Sequence, residues 1–364
     1  MKNIKWIIGV LILIFLAIGL LGDIPENKTQ EAPILKVAAI LPLTGPAASP
    51  GEEALDGMLL ALEEINADVQ LIELLVEDSE TKPAEGVAAV NKLEINEKPD
   101  IYITATSAVS MAVAPLAEQF SFLQFGIFTY APDFVEQNDN TFRFFAQSKT
   151  EAPVVYENIK NLAAKRVGIL HLNTDYGNSL NELLIAKLKS DNIPVFSQSF
   201  LAPDQDMKSQ LLKLKSFDVD AIYVVGYDSH VVNGIKQARE IGYTGNLLAS
   251  IALPQPRSLD LLSLEHSSGV RSAYPKISED FKQKFFDKYG YKAGGYAPNA
   301  YALMYLIADE LVASGNYSTE SFLETLNNLP STYTSVLGNL YPDGQEIPFE
   351  LYPVEIQNGK VIYK

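Results

Sequence analysis

The sequence predicts an α/β fold made of two doubly wound lobes. Three observations lead there. The first is a strand–turn–helix unit at Lys36–Asn66, whose strand is apolar at every position. A run of that kind suits a strand covered on both faces, as in a parallel sheet. The second is a regular alternation of strand and helix signals from Lys36 onward. The third is a break in that rhythm after Phe142-Arg143-Phe144, beyond which a second α/β series of similar size begins.

The opening unit sets the pattern. Val37–Leu41 reads as the strand, and Gly45-Pro46 breaks it. Ser49 is placed to cap the following helix, with Pro50 at its first position and Glu52 completing a capping box. Leu55, Met58, Leu62 and Ile65 recur at helical spacing, with Glu52, Asp56, Glu63 and Glu64 on the other side. In the first series, strands are expected at Leu71–Val76, Ile101–Ile103 and from Phe122, with helices at Pro83–Leu93 and Ser110–Gln119. In the second, Ala152–Leu162 is helical and Arg166–Leu172 a strand ending at Asn173-Thr174-Asp175-Tyr176-Gly177. Helix Leu180–Leu188, strand Pro194–Phe200, helix Met207–Leu214, strand Ala221–Val225, helix Val231–Ile241 and strand Leu247–Ser250 follow. Helices return at Phe281–Tyr289 and Ala300–Ala313. The tail holds a turn at Asp343-Gly344 and a last hairpin at Asn358-Gly359.

Composition narrows the function. The 364 residues carry 28 Lys and Arg against 45 Asp and Glu, a net charge of −17 that argues against nucleic acid as a partner. With no cysteine there is no disulfide, thiolate metal site or cysteine nucleophile. His171, His230 and His266 are scattered without metal-ligand spacing, so no metal and no cofactor is expected. Met1–Lys5 carries Lys2 and Lys5, and Trp6–Leu21 is almost wholly apolar. As a helix that run spans roughly 24 Å, at the short end for crossing a bilayer. It is expected to be a signal anchor or signal peptide (residues 1–22). The lysines keep Met1 on the cytoplasmic side and place the rest outside. Residues 23–34 read as a polar tether.

The spelling of these segments is more specific than their pattern. PLTGPAA, Gly51, Asp56-Gly57 and ALEEIN resemble the first segment of the type I periplasmic binding proteins, and most closely the branched-chain amino-acid (Leu/Ile/Val) binding proteins of ABC importers. Further blocks resemble that family in its own order: VEDSETKPAEGVAAVNKL, AVAPLAE, Asp175-Tyr176-Gly177, IKQAREIGYTG, and FKQKFFDKYG followed by YAPNAYALMYLIADEL. The resemblance implies two lobes joined by three hinge crossings, closing on a ligand between them. Lobe 1 is then expected to hold residues 35–147 plus 276–334, and lobe 2 residues 148–275 plus 335–364.

Candidate ligand contacts follow. Thr106–Ser110 precede or open a helix, where unsatisfied N–H groups and hydroxyls favour a carboxylate. In the family the serine matching Ser107 holds the ligand carboxylate, with Ala108 and Ser110 beside it. The anchoring threonine of the family falls on Tyr130, preceded by Thr129. Tyr176 and Tyr227 match aromatics of the second lobe, and Asp228 is adjacent. Tyr130 in place of the family's anchoring threonine is one departure, and two more stand out. Ala252 occupies the position of the acid that pairs with the ligand ammonium in amino-acid binders, and Pro50 stands where an aromatic or apolar residue often lies at the cleft lip. A buried ammonium without a carboxylate is costly, so within the class of small amino acids and related carboxylates or amides the expected ligand is a small carboxylate, amide or aromatic acid rather than leucine, unless Asp228 or cation–π contact with Tyr130 holds an amine.

The resemblance implies a solute-binding protein on the extracytoplasmic face of the membrane, with a small-molecule ligand and an ABC permease as partners. A ligand-sensing ectodomain acting through a membrane partner is the alternative. No GxSxG, HExxH, P-loop or GxGxxG pattern points to an enzyme. Glu77-Asp78 and Asp175 are the only acids that suggest a catalytic pair.

Overall fold

The computed structural model describes residues 34–364; the expected signal or anchor, and all but the last residue of the tether, lie outside the described residues. Within them, no helix is long and apolar enough to cross a membrane.

Lobe 1 is built on a parallel sheet of β1 (Leu35–Leu41), β2 (Ile72–Asp78), β3 (Ile101–Ala105), β4 (Leu123–Ile127) and β5 (Thr141–Arg143), in the order β2-β1-β3-β4-β5. Its crossover helices are α1 (Ala48–Ile65), α2 (Pro83–Asn96) and α3 (Ser107–Phe120). β3 and β4 are buried at every residue, as apolar strands covered on both faces must be. The chain leaves β1 for β2 on one side and then passes to β3 on the other. The carboxyl ends of β1 and β3 therefore flank a topological switch point, where open α/β sheets bind ligands.

Lobe 2 repeats the plan. It contains α4 (Ser148–Asn161), β6 (Val167–Leu172), α5 (Asp175–Ser190), β7 (Val195–Phe200), α6 (Lys208–Ser216), β8 (Ala221–Val225) and α7 (Asp228–Glu240). β9 (Asn246–Ala249), the short α8 (Pro256–Asp260) and α9 (Leu264–Ser267), and β10 (Arg271–Tyr274) follow. Its switch point lies between β6 and β8. Lobe 1 is completed by α10 (Glu279–Tyr289), α11 (Tyr296–Leu306) and α12 (Thr319–Asn327). The small hairpin of β11 (Tyr333–Ser335) and β12 (Gly338–Leu340) follows. β13 (Tyr352–Gln357) and β14 (Lys360–Tyr363) then add antiparallel strands to the edge of sheet 2.

Several boundaries differ from expectation. α1 starts at Ala48, because the Gly45 turn runs directly into it through Ala48 N–H to Gly45 O. Ser49 is therefore inside the first turn and caps nothing; its Oγ accepts from Arg257 Nη1 at 2.8 Å. α3 begins at Ser107, three residues before the expected start. The helix expected at Ala300–Ala313 starts at Tyr296 and changes to a π-helical turn at Ile307–Val312. The last return to lobe 2 comes later than residue 334. Arg143 N–H donates to Gln345 O and Ile347 N–H to Arg143 O, which keeps that segment on the edge of sheet 1.

α11 packs tightly on α1. A Cβ added at Gly57 would sit 2.2 Å from Ala297 O, so only glycine allows this approach. The contact carries the N-terminus of α11 to the cleft.

Candidate functional site

The site is built from the carboxyl ends of the central strands. β3 delivers Thr106 and the first turn of α3. β4 delivers Phe128–Ala131, β6 leads to Tyr176, and β8 leads to Gly226, Tyr227 and Asp228. Between the lobes lies a cavity of about 40 Å3 lined by Thr106, Phe128, Tyr130, Tyr176, Tyr227 and Tyr296, with Pro50, Ile251 and Ala252 closing it. The lobes meet around it. Tyr130 stacks on Tyr176 with ring centroids 3.9 Å apart, Tyr296 Oη donates to Asp228 Oδ1 at 3.2 Å, and Gly295 N–H donates to Gln255 Oε1 at 2.6 Å. Arg257 adds its bond to Ser49 and lies 3.6 Å from Glu52. These contacts close the cleft, and the Tyr130 and Tyr176 rings pack against each other within it.

The first turn of α3 separates the expected contacts into two groups. Thr106 lines the cavity, is 8% exposed, and its Oγ1 has no hydrogen-bond partner. Its φ of 73° is rare for a β-branched residue, and Phe128, across the cavity wall, has φ 53°. Strain of about 1–3 kcal/mol per such residue persists where the surroundings enforce it, and it gathers at ligand sites. Ser107 Oγ accepts from Tyr130 N–H (2.9 Å) and Ala131 N–H (3.2 Å), which ties α3 to the loop after β4 and leaves its own O–H proton to donate. Ala108 is exposed at the start of the helix.

Ser110 and Thr129 do not reach the cavity. Both are fully buried, joined Oγ to Oγ1 at 2.7 Å, with Thr104 Oγ1 2.9 Å from Ser110 and Gln124 Nε2 donating to Thr104. This hydroxyl chain is a satisfied floor beneath α3. Tyr130, Tyr176 and Tyr227 line the cavity. Asp228 is the first residue of α7; its Oδ1 accepts from Tyr296, while its Oδ2 is buried without a partner. Burial raises its pKa to about 6 against the Tyr296 hydrogen bond and the Arg257 charge.

Three features were not foreseen. Glu53 of α1 is 3% exposed, and its Oε1 accepts from Gly294, Tyr296 and Ala297 N–H, capping α11 from another helix. Burial raises its pKa to about 7 despite those bonds. Glu151 of α4 lies beneath the loop that carries Ala252. Its Oε1 accepts from Tyr223 Oη and Ile251 N–H, both at 3.0 Å, and its Oε2 from Tyr176 Oη at 3.3 Å. Its pKa is also raised to about 7 by burial. Tyr296 is the third. A signal existed for the two acids: each stands on a helix stripe whose other members are apolar or small, Glu53 with Ala54, Gly57 and Ala61, and Glu151 with Ala152, Val155 and Ile159.

Two of the three acids that suggested catalysis are engaged in structural contacts. Asp78 accepts from Leu43 N–H, Thr44 N–H and Oγ1, and Glu80 N–H, and Glu77 pairs with Lys92 at 2.7 Å. His230 is fixed between Tyr227 N–H and Ala202 O. Among the described residues no group of His, Asp or Glu is gathered to hold a metal ion.

Comparisons with known proteins agree with this architecture. A Leu/Ile/Val-binding protein of Rhizobium johnstonii is 28% identical over 200 residues, an alignment covering 53% of this chain and 54% of the relative. The chain thus spans about half the length of that relative. The leucine-binding protein LivK of Thermotoga maritima has a TM-score of 0.82 at 24% identity, covering 91% of this chain and 98% of that one. A solute-binding protein of an ABC transporter from Rhodopseudomonas palustris, in complex with 3,4-dihydroxybenzoic acid, also has a TM-score of 0.82. Its identity is 18%, with 91% and 95% covered. At these identities the two structures establish the fold. The sequence profile of the periplasmic binding proteins matches residues 34–360, so the chain belongs to the periplasmic binding protein family.

Proposed function

We propose that the protein is an extracytoplasmic solute-binding protein that holds a small amino acid between its lobes and delivers it to an ABC permease in the membrane. Met1–Pro33 would tether it there or direct its export. In this reading it binds and releases, and performs no catalysis.

The observation that carries the ligand assignment is a pair of buried atoms without partners: Thr106 Oγ1, on the lobe 1 wall of the cavity, and Asp228 Oδ2 on lobe 2, behind the lining residues Tyr227 and Tyr296. Buried polar atoms are ordinarily paired, so an unpaired one at a cleft needs a ligand to complete it. Thr106 Oγ1, the Ser107 O–H and the free N–H groups of the first turn of α3 are donors for a carboxylate. Asp228 is an acceptor suited to an ammonium, and it takes the part of the acid missing at Ala252. The ligand's side chain would lie against Tyr130, Tyr176 and Phe128 once the tyrosine stack opens. A leucine-binding relative and an aromatic-acid-bound neighbour are both compatible with such a pocket.

A matched set of three ligands tests the reading by calorimetry: leucine, its α-keto acid and the corresponding amine. Leucine is expected to bind. The keto acid is expected to bind at least about thirtyfold more weakly, since losing the partner of a buried carboxylate costs about 2 kcal/mol or more. Asp228→Asn should abolish that preference. Equal affinity for leucine and the keto acid would remove Asp228 from the ammonium role, and binding of none of the three would overturn the amino-acid assignment.

A further inference from the structure

Past Tyr130 the space between the lobes opens into a second chamber of about 500 Å3. Tyr130, Pro132 and Arg143 form its lobe 1 wall, and Ser148, Leu183 and Ala186 its lobe 2 wall. Tyr130 lines both chambers, so its ring is the partition between them.

The polar floor of this chamber lies on the segment that passes from sheet 1 to sheet 2. Gln147 and Ser148 both line the chamber, and each is only 4% exposed. Ser148 Oγ has no hydrogen-bond partner, and Gln147 turns one of the two N–H groups on its Nε2 toward Glu346. They stand at the N-terminus of the 14-residue α4, whose first N–H groups lack intrahelical acceptors and carry the positive end of the helix dipole. Behind them Arg143 is already committed. Its Nη1 and Nη2 donate to Thr129 O (3.1 Å) and Pro132 O (3.2 Å), and its Nε lies 3.0 Å from Glu346 Oε2. Glu346, which also lines the chamber and takes a side-chain hydrogen bond from Gln147, neutralises that guanidinium. What remains unspent at the floor is the Ser148 hydroxyl, the second N–H of the Gln147 amide and the N–H groups of the helix end ahead of Thr150, since Thr150 and Glu151 N–H already donate to Gln147 O. Lys149 stands at the rim, with Glu136 and Glu182.

We propose that this chamber is a second ligand site, distinct from the amino-acid cleft, which takes the carboxylate of a small apolar monocarboxylic acid. The carboxylate sits on Gln147 Nε2, Ser148 Oγ and the N–H groups that open α4. The apolar body lies against Tyr130, Leu183 and Ala186. Glu136 and Glu182 at the rim disfavour a second negative charge, which excludes dicarboxylates. Because the walls come from opposite lobes, an occupant favours the closed arrangement and reaches the main cleft through the Tyr130 ring.

The probe is 4-fluorobenzoate, followed by fluorine NMR with the full-length chain and compared with neutral 4-fluorobenzamide. Saturable binding of the acid is expected. Ser148→Ala should weaken it about tenfold, the size of one lost hydrogen bond to a charged group. It should leave the melting temperature unchanged, because the deleted hydroxyl has no partner in the folded protein. Gln147→Glu should abolish it, and the component removed by Ser148→Ala should survive Thr106→Val. The assignment is overturned by an absence of saturable binding, by binding that Ser148→Ala leaves untouched, or by equal binding of the amide. None of these results bears on leucine in the main cleft, so the two readings fail separately.

Discussion

Neighbouring hydroxyls in the first turn of α3 do different jobs. Ser107 Oγ is an internal acceptor for two backbone N–H groups, whereas Thr106 Oγ1 has no internal partner. Stability measurements should separate them. Ser107→Ala strands the Tyr130 and Ala131 N–H groups and is expected to cost about 1–3 kcal/mol in denaturant unfolding. Thr106→Val keeps the shape and removes an unpartnered group, so its effect should stay within about 0.5 kcal/mol. The family resemblance pointed to Ser107 and passed over Thr106. No residue-level pattern distinguishes the two, because the difference is set by a backbone φ of 73° that turns the threonine toward the cavity.

At the scale of elements, the central strands of both lobes were legible because each is an apolar run between turn signals, whereas the sheet order and the edge strands β5 and β10 were not. The helix starts were only partly so. Ser49 looks like a cap, but a turn closed by Gly45 O extends the helix past it. The Ser110–Thr129 pair looked like ligand contacts because the loop that holds it is the right one; three-dimensional packing turns both hydroxyls into the lobe instead. Asp228 was a candidate contact only through its place beside Tyr227, and the partner that it meets, Tyr296, arrives from the other lobe. That arrival depends on the α1–α11 contact. Gly57→Ala would gain up to about 1 kcal/mol in helix propensity. The added methyl, however, would meet Ala297 O at 2.2 Å. Overpacking against backbone costs about 1–3 kcal/mol or more, so chemical denaturation should show a net loss, and a gain would mean that α11 shifts freely.

For the whole molecule, three carboxyls buried at or beside the cleft govern the response to pH. Burial raises Glu53 and Glu151 to about 7 and Asp228 to about 6. A carboxyl with a raised folded-state pKa binds more protons folded than unfolded, so it favours the folded state at low pH. That advantage fades as pH rises from the unfolded value, about 4.5 or just below, through the folded one. The ligand-free protein should therefore melt at a higher temperature at pH 5.5 than at pH 8. Binding of an ammonium-bearing ligand should run the other way and tighten as Asp228 ionises near pH 6. A ligand-free melting temperature that rises steadily from pH 5.5 to 8 would contradict the burial of these acids.

The most direct test of the account is a calorimetric titration of leucine into the wild-type chain and into Thr106→Val at pH 7. The account places the ligand carboxylate on Thr106 Oγ1, the Ser107 hydroxyl and the α3 N-terminus. It predicts about tenfold weaker binding to the variant, the worth of one hydrogen bond to a charged group, with the melting temperature of the free protein unchanged. Equal affinity for both proteins would contradict it and move the carboxylate away from α3.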